Sequence, residues 1–79
     1  MEWQVLIVEP TKDYKLILTF KGGDVRIFDF RPILEHEINK PFRNIKLFMK
    51  AKVHHHTVMW TDEFDMCPEY LYENSVKIK

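Results

Sequence analysis

One cysteine, two glycines and a formal net charge of zero are the scarcities that bound this 79-residue chain. The lone Cys67 excludes an intramolecular disulfide and points to a reducing compartment. Twelve Lys and Arg are matched by twelve Asp and Glu, and no basic block is present that would neutralise a row of phosphates. Direct nucleic-acid binding is therefore not expected. The aliphatic run near the N-terminus, Val5 to Val8, is only four residues long, too short for a signal core or a membrane span. A cytoplasmic protein with no membrane partner is the expectation. The chain also lacks a nucleophile-base pair, a phosphate loop and metal-ligand spacing, so no catalytic residue and no cofactor is assigned.

What is present is material for a core. Hydrophobic residues make up 46% of the chain and aromatic residues 14%, against a domain size that buries only about 60% of its unfolded surface. Most of those side chains must go inside for the chain to fold. No linker and no repeat interrupts the sequence, which predicts a single domain over residues 1–79.

The first half carries the two-residue period of strands. Trp3, Val5 and Ile7 share one face of a first strand, with Gln4, Leu6 and Val8 on the other, and residues 9–13 form a polar turn containing Pro10. Tyr14, Leu16, Leu18 and Phe20 alternate against Lys15, Ile17 and Thr19. Gly22-Gly23 then makes a hairpin turn, because glycine takes positive φ at no steric cost, and Val25 to Phe30 is the third strand of an antiparallel meander. From Pro32 the period changes. Ile33, Leu34, Glu37 and Ile38 recur at helical spacing until Asn39-Lys40-Pro41, and Phe42, Ile45, Phe48 and Met49 suggest a second helical turn packed on the sheet. Ala51, Val53, Val58 and Trp60 frame a hairpin with His54-His55-His56 at its tip, and Pro68 opens a short C-terminal helix. The resulting class is α+β, in the order βββααββα. It comprises a small antiparallel sheet, made of the N-terminal meander and a C-terminal hairpin, with one main helix packed on it.

Several residue sets could carry chemistry. His54 and His56 would project to one side of a strand, and with Asp65 and Glu69 they form the alternative reading of a small metal-binding or hydrolytic module. The residues favour a plain polar hairpin tip, since no four-ligand set stands at zinc spacing. Asp29 lies three residues before Pro32 and Asp65 three before Pro68, the spacing of acceptors for free N–H groups at a helix start. Cys67, with no adjacent base, reads as a small hydrophobe.

The order of Tyr14-x-Leu16, a Gly-Gly-Asp turn, Phe28-Asp29-Phe30-x-Pro32 and the run from Trp60 to Tyr72 resembles the bacterial family catalogued as domain of unknown function twenty-four forty-two. Trp60, Asp65, Met66, Pro68, Glu69, Leu71 and Tyr72 match its C-terminal pattern. Glu63 stands where the family has glycine, and Cys67 replaces the aspartate before the proline, removing a cap oxygen worth about 1 kcal/mol. The interval between Ile45 and Phe48 is also shorter. The resemblance implies a small α+β fold with no assigned enzymatic activity. It further implies a stand-alone member without a helix-turn-helix, often encoded beside a second small protein in toxin-antitoxin-like pairs. Any part in transcriptional autoregulation would then run through a complex. The expected function is a non-enzymatic protein-interaction module that binds an adjacently encoded small protein or a second copy of itself. The surface expected to do so comprises Leu6, Val8 and Ile17, opposite the predicted core, with Glu69, Tyr70 and Tyr72 on the C-terminal helix.

Overall fold

Val5–Pro10 (β1), Lys15–Phe20 (β2) and Val25–Asp29 (β3) form the expected antiparallel meander in a computed structural model that describes residues 3–61 and 64–79. The alternation of β2 is the cause: Leu16, Leu18 and Phe20 are fully buried, while Ile17 and Thr19 point the other way. Gly22 and Gly23 both take positive φ, 96° and 89°, in the turn that follows. A side chain at either position would be strained.

The connection after β3 departs from the helical expectation. Instead of one main helix, Arg31–Ile33 and Glu37–Arg43 are 3₁₀ turns, and α1 spans only Ile45–Phe48. Prolines at 32 and 41 leave too little uninterrupted chain to sustain i→i−4 bonds, and the tighter winding runs straight through Pro41 rather than ending before it. Ile38, expected on the buried stripe, is 71% exposed. The segment is held by side chains reaching back to the first turn: Asn39 Nδ2 donates to Ile33 O at 3.0 Å and Arg43 Nε to Leu34 O at 3.1 Å. Asn44 caps α1 by accepting from Lys46 N–H at 3.0 Å.

Lys52–His54 (β4), Thr57–Thr61 (β5) and Phe64–Met66 (β6) form a second, three-stranded antiparallel sheet. The predicted single layer is thus two sheets. The short helix α2 (Pro68–Glu73) follows, and Val76–Lys77 (β7) pairs with β3 to complete a four-stranded sheet in the order β1-β2-β3-β7. Two residues are too few to show a period, so β7 left no trace in the sequence. The sheets meet where Val5 N–H donates to His56 O at 2.9 Å.

Between them lies an aromatic core centred on Phe30. Its ring stands 5.2 Å from Phe48, 5.5 Å from Trp60 and 5.7 Å from Phe42, centroid to centroid. These tilted and edge-on contacts each add about 1 kcal/mol to the area buried. Trp60 is satisfied as it is buried, donating Nε1–H to Phe48 O at 2.9 Å.

Candidate functional site

Residues directly opposite one another in a sheet share a face, so register decides what the four-stranded sheet shows on the side away from the core. Ile17 stands opposite Ile27, Ile27 opposite Val76, and Thr19 opposite both Val25 and Ile7. All of these alternate with the buried Leu16, Leu18 and Phe28. None of Ile17, Val25 or Ile27 packs against the core cluster. Ile7 is 51% exposed and Val76 66%. A mainly aliphatic patch therefore crosses the four strands, interrupted by Thr19 between Ile7 and Val25 and bordered by Glu9, which stands opposite Ile17. Lys15 and Asp29 lie opposite each other on the same side, each also tied to a near neighbour, Asp13 and Arg31 respectively.

A bulge in β1 determines which residues of that strand join the patch. Val5 pairs with Phe20 but Ile7 pairs with Thr19, leaving Leu6 as the extra residue. Parity flips there. Val8, expected outward, stands opposite Leu18 and packs against the core, whereas Ile7, expected inward, faces out. Leu6 remains exposed at the bulge itself. Of the three strand residues expected on the open face, Ile17 stands on it.

The C-terminal candidates lie on the core side of the sheet, so the two halves of the expected surface do not meet. Tyr72 packs edge-on to Phe20 at 5.1 Å and lies under Arg26, which closes that end of the core. Arg26 donates Nε–H to Ser75 Oγ at 2.8 Å and Nη2–H to Ser75 O at 3.0 Å. Its third contact is Asp24 at 3.4 Å, whose other carboxylate oxygen is buried without a partner among the described residues. Tyr70 rests an exposed ring against Phe28, and Glu69 is exposed in the first turn of α2.

The histidines occupy the β4–β5 hairpin tip, as expected. His54 ends β4, and His55 and His56 make a two-residue loop with φ of 51° and 64°, the left-handed conformation of a type I′ turn. Among the described residues, no three His, Cys, Asp or Glu side chains gather as a metal site would require. Asp65 pairs opposite Met59 in β6, and Glu69 stands beyond the strand on α2.

The two aspartates with the repeated spacing part company. Asp29 accepts from Arg31 N–H at 3.0 Å at the start of the first 3₁₀ turn and grips the Arg31 guanidinium with both oxygens. Those bonds hold its carboxyl below the usual carboxylate range and raise the guanidinium of Arg31. Asp65 does not cap. The cap residue of α2 is Cys67, which is exposed and offers no side-chain bond, with Pro68 following it. Glu63, at the family's glycine position, lies outside the described residues.

A second feature stands apart from the open face. Lys12, Tyr14, Ile45, Lys46 and Met49 line a cleft of about 620 Å³ between the β1–β2 turn and α1. Tyr14 has φ of 64°, unusual for an aromatic residue, and is clamped by a tilted ring contact with Phe48 at 5.2 Å and by its hydroxyl donating to Arg43 O.

No curated protein and no solved structure matches the chain. The model of a family described as protein of unknown function (DUF2442) matches residues 5–77. With the match running from β1 to β7, the chain belongs to the DUF2442 family.

Proposed function

We propose that this chain is a non-enzymatic protein-interaction module that docks a partner on the open face of its four-stranded sheet. The observation that carries this reading is the aliphatic group of Ile7, Ile17, Val25, Ile27 and Val76, which draws on every strand of the sheet, with Ile7 and Val76 exposed and the three between them half-buried and apart from the core. Antiparallel sheets with one solvated face ordinarily alternate apolar inside with polar outside. Here the outer face carries a central aliphatic group as well, set among Glu9, Lys15, Thr19 and Asp29. Contiguous apolar surface of this kind marks a site of association.

The partner in this reading is an adjacently encoded small protein, toward which the chain acts in an antitoxin-like way; a second copy of the chain is the other occupant the surface admits. The setting is the cytoplasm, where the exposed thiol of Cys67 stays reduced. Among the described residues no helix is long and apolar enough to cross a membrane.

Sedimentation of the chain alone, and co-purification with the product of the neighbouring reading frame, test the reading directly. The expected result is a complex or dimer that Ile27→Glu weakens by at least about tenfold, as loss of a central apolar contact would. A monomer that captures nothing on co-expression overturns it.

A further inference from the structure

We propose that the cleft beside Tyr14 binds a small amphipathic organic anion, a carboxylate on an apolar body. The lining divides cleanly by chemistry. The Tyr14 ring, Ile45 and Met49 are apolar, Lys12 and Lys46 are cationic, and no acidic side chain lines the cleft. Neither lysine has a carboxylate partner among the described residues, since the ion pairs there engage Lys15, Arg26, Arg31 and Lys40. Asp13, next to Lys12 in the chain, turns instead to Lys15 at 3.5 Å and to the Thr11 hydroxyl.

The two cations come from different elements, the β1–β2 turn and α1, and converge on one cavity. At about 620 Å³ that cavity is of small-ligand size. The placement of Tyr14 adds a second argument. Its left-handed φ closes the β1–β2 turn, where Tyr14 N–H donates to Thr11 O at 3.2 Å and Thr11 N–H to Lys15 O at 2.8 Å, so the residue sits at a fixed point of the hairpin. Here the tilted contact with Phe48 and the bond to Arg43 O fix the ring as one wall of the cleft. An apolar tail against Tyr14, Ile45 and Met49 leaves a terminal carboxylate for the lysines, which bind it as charge-assisted donors.

Octanoate and its neutral counterpart octanamide are suitable probes, titrated into the full chain and followed by amide chemical shifts. Octanoate should move the amides of Lys12, Tyr14, Ile45, Lys46 and Met49. Octanamide, and octanoate with the Lys12→Gln/Lys46→Gln variant, should bind about tenfold more weakly, as expected for loss of a charged hydrogen bond. Both lysines are exposed, so the variant keeps its fold. No shifts through the millimolar range, equal affinity for the amide, or shifts that map to Ile17 and Ile27 would each overturn the proposal. Because the cleft is separate from the sheet face, Ile27→Glu should leave octanoate binding unchanged, which keeps this result independent of the docking test.

Discussion

The guanidinium of Arg26 lies 4.2 Å from the centre of the Tyr72 ring, joining the third strand to the end of the C-terminal helix. Stacked there, it also bonds Ser75 and pairs with the half-buried Asp24. Arg26→Met should cost about 2 kcal/mol, because it strips the Asp24 carboxylate of its cation while that group stays largely enclosed. A double-mutant cycle with Tyr72→Leu should return a coupling of about 1 kcal/mol. Urea denaturation reads both; an additive pair would show that the stacking contributes nothing.

Cys67→Asp should raise stability by about 1 kcal/mol. The cap residue already has the extended backbone that capping requires, φ −65° and ψ 127°, and lacks only an acceptor. Since Cys67 is exposed, nothing in the core is lost. The denaturation midpoint should rise with an unchanged slope.

At the hairpin tip, His55→Asn with His56→Gly should stabilise by about 1 kcal/mol, since Asn-Gly suits a two-residue loop in which both φ values are positive. If the histidines served as metal ligands, the gain would depend on chelator. Thermal melts with and without EDTA should instead shift equally.

The contribution of Asp29 should depend on pH in one direction. Its folded-state carboxyl titrates below the ordinary range because Arg31 donates hydrogen bonds to it. As pH falls, the unfolded chain therefore takes up its proton first, and the stabilisation is present above the unfolded value and lost on descending through the folded one. The stability difference between wild type and Asp29→Asn should hold steady from neutrality to about pH 5 and then shrink toward zero. With Arg31 open to solvent and Asp29 partly so, screening should keep the difference small.

The meander and the histidine hairpin were legible in the sequence because their side chains alternate cleanly and their turns carry glycine or polar residues. The segment from Ile33 to Met49 was not, for a physical reason: the three-residue spacing is common to α-helix and 3₁₀ turns, and Pro32 and Pro41 favoured the turns over one long helix. The open face was half legible. Alternation alone sent Ile17 outward, but Leu6 at the bulge exchanged the roles of Ile7 and Val8, and a bulge has no signature within a uniformly apolar strand. Ile27 could have been recovered by pairing β2 with β3 across the Gly22-Gly23 turn, which sets it opposite Ile17. Val76 could not, because its strand pairs through two residues only. The Tyr14 cleft was invisible, as its lining joins the β1–β2 turn to α1, residues far apart in the chain that no local pattern links.

Phe30 ends the first hairpin system, yet the rings that enclose it, Phe42, Phe48 and Trp60, all come later in the chain. A growing polypeptide leaving the ribosome can zip its first three strands together well before that lid exists. Until synthesis reaches Trp60 the inner surface of the meander stays naked, so chains halted midway should be sticky and become substrates for chaperones or proteases.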